Sequence, residues 1–179
     1  MGVYVFSSRL NSEIHAKKMI LAQVQGNFPR MRHEAEEALT WLFPVDISTT
    51  PIQWYLGMSR FYENDIAGAM KEYEVALKIN PYHLRTLNDL ATTYEKTGRR
   101  KEAIEFYRRG LQISPLFIEG NLNLSAAYFN SGNIDSAYYY INRINGQSMS
   151  MREESNHKLF LKVITSARDS IIHTNNKHQ

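Results

Sequence analysis

The chain contains no cysteine, which excludes disulfides and thiolate sites outright. It leaves the compartment open, since cysteine-free chains suit either side of a membrane. Long apolar runs are missing too, and none approaches the ~20 residues of a membrane-spanning helix. The opening Met1-Gly-Val-Tyr-Val-Phe6 lacks the basic start and longer apolar stretch of a signal peptide. Charge of one sign is scarce. Lys and Arg total 21 against 18 Asp and Glu, and the resulting +3 falls short of the concentrated basic face that nucleic acid requires. The six histidines (15, 33, 83, 157, 173 and 178) form no His-x-x-x-His pair and no His-Glu-x-x-His motif. A Gly-rich phosphate loop and a nucleophile elbow are also lacking. Glu34, Glu36 and Glu37 cluster near His33, but acidic residues early in a helix stabilise its positive end. The expectation is therefore no enzyme, no cofactor, no metal and no nucleic acid.

What remains is ordinary in bulk and unusual in order. A length of 179 residues, 43% hydrophobic and 22% charged, suits one domain with a real core. Along it, similar residues return every 34 positions: Leu56, Leu90 and Leu124; Gly57, Ala91 and Ser125; Ala69, Ala103 and Ala137; Pro81 and Pro115. A fixed period in this range means a solenoid of repeated supersecondary units. In the middle unit, Leu87, Leu90, Ala91 and Tyr94 make one helical stripe. Gly98 suits the left-handed residue that ends a helix, and Ala103, Phe106, Tyr107, Gly110 and Leu111 make a second stripe before Pro115 stops it. Each unit is thus a helix hairpin, with small residues where its two helices approach.

The set Leu87, Leu90, Ala91, Tyr94, Gly98, Ala103, Tyr107, Gly110 and Pro115 resembles the tetratricopeptide repeat. The unit before it matches through Leu56, Gly57, Ala69, Tyr73, Ala76 and Pro81, departing at Arg60, where the family prefers Tyr. The unit after it matches through Leu124, Ser125, Tyr128, Gly132, Ala137 and Ile144, without the closing Pro. The resemblance implies an all-α fold, a right-handed superhelix of helix hairpins, with repeats at 50–83, 84–117 and 118–145. Residues 1–49 form a helical pair, Ser12–Gln25 and Met31–Phe43; Ala35, 34 before Ala69, suggests a degenerate repeat. Pro44–Thr50 is a loop, with Pro51 at the first helical position. Residues 151–172 are a capping helix that covers the last repeat with Leu159, Leu161, Val163, Ile164 and Ile171, and 173–179 a disordered tail.

The family's groove is lined by the first helix of each pair. The resemblance therefore implies a non-catalytic scaffold that binds a protein or peptide segment on its concave face. Counting family positions places Trp54, Tyr55, Met58, Phe61 and Tyr62 there from the first unit. The second supplies Arg85, Asn88, Asp89, Thr92, Glu95 and Lys96, and the third Glu119, Leu122, Asn123, Ala126, Phe129 and Asn130. Five large apolar residues on a solvent face mark an interaction site, a homodimer contact, a surface that the N-terminal helices cover, or a set of which some belong to the core. Family members that hold a chaperone's C-terminal carboxylate use Lys and Asn in the first unit, Asn in the second, then Lys and Arg. Trp54, Met58, Asp89, Glu119 and Asn123 stand there, so no such clamp is expected. The basic cluster Arg99, Arg100, Lys101, Arg108 and Arg109 is interleaved by Glu102 and Glu105 and reads as a solvated face.

A second resemblance points to another class. Arg9–Glu13, Lys17–Met19, Ser48–Tyr55 and Leu87–Leu90 are similar to the repeat-bearing tails of bacterial O-antigen ligase-like membrane proteins. It implies a periplasmic accessory domain of a glycan-transfer protein, tethered to a membrane part, with Val3–Phe6 the stub of a membrane helix. If Met1 is instead the native start, the expectation is a cytoplasmic protein.

Overall fold

A computed structural model describes residues 2–40 and 43–176. Among these residues it has nine helices and no strand: α1 (Gly2–Val24), α2 (Phe28–Ala38), α3 (Ile52–Tyr62), α4 (Ile66–Ile79), α5 (Leu84–Lys96), α6 (Arg100–Ile113), α7 (Ile118–Asn130), α8 (Ile134–Arg143) and α9 (Met151–Asn176). This is an all-α helical repeat fold. None of the described helices is long and apolar enough to cross a membrane. The chain divides into two compact units, Met1–Thr93 and Tyr94–Gln179.

In the first unit α1 packs on α2, α2 on α3 and α3 on α4. In the second, α6 packs on α7, α7 on α8, and α9 lies against both α7 and α8. Here Leu122, Ala137, Ile141, Ile144 and Ile164 form a buried cluster, edged by Phe160 and Leu161. His157 fixes α9 by donating from Nε2 to the Ile141 carbonyl at 3.0 Å. The covering stripe is therefore His157, Phe160, Leu161 and Ile164, while Leu159, Val163 and Ile171, expected to share that role, are exposed.

One turn recurs. Gly26, Asn64, Gly98 and Gly132 all have positive φ, between 65° and 80°. After each, an N–H reaches back five residues to a carbonyl: Asn27 to Ala22, Asp65 to Arg60, Arg99 to Tyr94 and Asn133 to Tyr128, at 2.8–2.9 Å. This closes the helix and satisfies a carbonyl that would otherwise be orphaned. Asn27, Asp65 and Asn133 then cap the next helix, accepting from the N–H of Arg30, Gly68 and Ser136. Asn64, Gly98 and Gly132 keep the 34-residue step, but Gly26 precedes Asn64 by 38. Counted from the turn, Ala35 therefore corresponds to Tyr73 and not to Ala69, and Met19 corresponds to Gly57. The first hairpin exchanges large for small at these positions, and a fixed 34-residue count misaligns it.

The ends of several elements differ from expectation. No Pro or Gly lies between Val3 and Gln25, so α1 begins at Gly2 and runs through Ser7-Ser8-Arg9. Helix α2 starts at Phe28, where Pro29 fits the first turn, and stops at Ala38. Pro51 is the N-cap of α3, one residue before the helical position expected for it. Helix α9 continues to Asn176; of the expected tail, residues 177–179 lie outside the described residues.

The departure at Arg60 has a structural partner. Tyr94 and Tyr128 occupy the same repeat position, where Tyr94 meets Phe106 at 5.4 Å and Tyr128 stacks on Tyr140 at 5.6 Å between centroids. Glu72 holds the place of Phe106 and Tyr140, and Arg60 Nε lies 3.4 Å from its Oε1 and Nη1 3.0 Å from Asp65. The first repeat thus has an ion pair where the others have paired rings. Burial raises the Glu72 carboxyl above its usual range, and Arg60 pulls it back. Arg60→Tyr alone should strand this carboxylate and destabilise by about 1–3 kcal/mol. Adding Glu72→Phe should restore the melting temperature by installing the ring pair; a double variant less stable than Arg60→Tyr would refute the equivalence.

Candidate partner-binding face

The face is built from behind. In the loop before α3, Asp46 is buried and collects hydrogen bonds from its surroundings. Its Oδ1 accepts from the N–H groups of Ser48 at 2.8 Å and Thr50 at 2.9 Å. Its Oδ2 accepts from the Tyr55 hydroxyl at 2.6 Å. Thr49, at φ 62°, makes the left-handed step that lets the loop close on Asp46. Burial first, and the bond to Asp46 second, push the Tyr55 hydroxyl well above its ordinary pKa. Tyr55 is therefore a neutral donor tying α3 to this loop.

Trp54 points the other way, toward α5. Its indole Nε1 donates to Asp89 Oδ2 at 2.8 Å. Its ring meets His83 edge-on at 5.8 Å, and the Arg85 guanidinium lies 5.8 Å from its centroid. The other Asp89 oxygen accepts from Asn88 Nδ2 at 3.3 Å, and Thr92 Oγ1 donates to the Asn88 carbonyl at 3.0 Å. Arg85, Asn88, Asp89 and Thr92 follow i, i+3, i+4, i+7 and so share one side of α5. The structure brings five of the expected site residues together here: Trp54, Arg85, Asn88, Asp89 and Thr92.

Of the two readings of the aromatic set, a partner-facing patch or residues that are partly core, Trp54 and Tyr55 follow the second. Trp54 is 3% and Tyr55 5% exposed, so neither presents a ring to a partner. An indole N–H and a phenol hydroxyl each have a carboxylate within reach, and burying both rings with those bonds made is more favourable than hydrating them. Met58 and Phe61 are half-buried. Tyr62 remains 58% exposed, stacked on Phe28 at 4.0 Å with Phe61 edge-on at 5.9 Å. In the second unit, half-buried Asn123 and exposed Asn130 lie seven residues apart on α7, and the Asn130 carbonyl accepts from Arg100 at 3.1 Å. No group of three or more His, Cys, Asp or Glu side chains among the described residues is placed to hold a metal ion.

Two residues that position this face were not anticipated. Asp46, followed by Ser48, Thr49 and Thr50, carries the mark of a side-chain-closed turn, a signal available from sequence. His83 accepts at Nδ1 from the Thr86 N–H at 3.3 Å, capping α5, with the Thr86 hydroxyl 2.7 Å away. Burial, then the charge of Arg85, lowers the His83 pKa, with Asp46 opposing.

A family model described as Tetratricopeptide repeat matches residues 60–116. The peroxisomal targeting signal receptor of Saccharomyces cerevisiae is 31% identical over 90 residues, covering 50% of this chain and 15% of the receptor. The chain thus spans only a small part of the length of that relative. The crystal structure of MamA superposes with a TM-score of 0.65 at 20% identity, covering 85% of this chain and 84% of that one. The Yersinia enterocolitica type III secretion chaperone SycD, solved with a peptide of the translocator YopD, gives a TM-score of 0.59 at 13% identity, covering 65% of this chain and 92% of that one. At these identities the structural likeness is one of fold.

Two outcomes are expected. Asp89→Ala leaves the buried Trp54 indole without its acceptor and should destabilise by about 1.5–3 kcal/mol, read by thermal unfolding with Trp54→Phe as the matched partner in a double-mutant cycle. The second concerns pH. A His whose folded pKa is lowered contributes stability that is present above its unfolded value and lost as pH falls through the folded one. The melting temperature should therefore drop as pH falls below the ordinary histidine value of 6.5, and His83→Asn, which caps without titrating, should flatten that slope.

Proposed function

We propose that this chain is a non-catalytic interaction scaffold that holds an extended segment of a partner protein against α5 of the first unit. The observation that carries the proposal is the row Arg85, Asn88 and Thr92, half-buried to exposed and braced by the part-buried Trp54–Asp89 bond. A helix face with polar groups at this spacing can exchange hydrogen bonds with an extended backbone, and its fixed rotamers reduce the entropy lost on binding. Trp54 acts here as a positioning residue. Met58, Phe61 and the exposed Tyr62 supply apolar contact along α3. Asn123 and Asn130 offer a comparable polar row on α7 within the second unit.

Support comes from the tetratricopeptide match over residues 60–116 and from the receptor and peptide-bound chaperone that the chain resembles. The likeness to O-antigen ligase-like tails, with its membrane tether, rests on short stretches of sequence alone. Site-specific photo-crosslinking in native cells tests the proposal. A crosslinker at Asn88 should trap a defined protein, one at exposed Glu74 on α4 should not, and Arg85→Glu with Asn88→Ala should weaken capture at least tenfold. Equal trapping from both positions, or capture that ignores the double substitution, would overturn it.

A further inference from the structure

Helix α1 is apolar on two opposite sides. One side, Ser12, Ala16, Met19 and Ala22, is buried. The other carries Leu10, Ile14, Leu21 and Val24, which are 48%, 43%, 50% and 80% exposed. With Lys17 between them, these positions step by four, three, four and three residues. At about 100° per residue they form one narrow seam, turned away from the buried side. A hydrated helix face has no use for four large aliphatic side chains in a line, and this spacing is that of a coiled-coil contact.

Charge selects the occupant. Glu13 flanks the seam on one side and exposed Lys18 on the other, five residues later. In a parallel pair of such helices, these are the two flanking positions that meet across the interface, so two copies would form two Glu13–Lys18 bridges. An antiparallel pair sets each flank only against its own kind and never brings Glu13 to Lys18. Glu13 accepts from Arg9 Nε at 3.3 Å, an exposed pair of small worth that a partner can displace. Lys17 within the seam would extend its ammonium to the edge, and a single such cation restricts register at some loss of stability. We infer that α1 is a self-association surface, on which a second copy of this chain docks as a parallel, in-register helix pair.

Because the chain has no cysteine, one introduced thiol reports the geometry without background. Ile14→Cys should crosslink to itself under mild oxidation, since position 14 faces its own equivalent only in the parallel pair. Sedimentation of the unmodified chain should give twice the monomer mass, and Leu21→Glu, at an exposed site, should halve it with helical content unchanged. Glu13→Lys should also dissociate the pair, and Glu13→Lys with Lys18→Glu should restore it. A monomer at all concentrations, or a dimer indifferent to Leu21→Glu, would overturn the inference. So would crosslinking that requires Ile14→Cys together with Val24→Cys, the antiparallel signature.

Discussion

Two helices can share a buried tyrosine only where one of them has no side chain in the way. At Gly57 of α3 an added Cβ would stand 2.6 Å from the Tyr73 ring of α4. Tyr73 is almost wholly buried. In the second unit the corresponding residue is Ser125, whose hydroxyl donates to the Ala137 carbonyl on α8 at 2.8 Å, so the close approach is used as a bond. Ala69, Ala103 and Ala137 are fully buried in the same phase. The 34-residue period is the sequence trace of this constraint, since a larger side chain at these places overpacks the hairpin.

The candidate face inherits its geometry from that packing. Helix α3 lies on α4 through Gly57, and its neighbours Trp54 and Tyr55 are thereby aimed at two carboxylates on either side, Asp89 and Asp46. One bond holds the loop before α3 and the other holds the side chain from which the α5 row is built. Both aromatic residues are consumed in positioning, so in the proposed function recognition falls to the polar side chains and Tyr62. Specificity in such a face comes from groups whose partners are fixed before the ligand arrives.

Much of the fold was legible because small residues and turn residues are read directly from spacing. Helices α5 and α6 fall where the stripes around Ala91 and Ala103 place them, and α7 packs on α8 where Ser125 and Ala137 place that pair. The first hairpin was harder, since its turn at Gly26 is out of step and its large and small residues are exchanged. The site was legible only in part. Repeat phase brought Asn88, Asp89 and Thr92 into one row, but it carries no information on burial, and so it left open whether Trp54 and Tyr55 face a partner or belong to the core. Their burial depends on Asp46 and Asp89, the latter 35 residues from Trp54, and long-range pairing of that kind leaves no periodic trace.

The thermal unfolding of Gly57→Ala tests the packing constraint most directly, because two effects of opposite sign compete. Helix propensity favours Ala over Gly by about 1 kcal/mol. Overpacking against the buried Tyr73 ring opposes it by about 1–3 kcal/mol. The account predicts that overpacking wins and the melting temperature falls. A rise would mean that the ring yields freely, and that the small residue at this repeat position is not what sets the approach of α3 to α4.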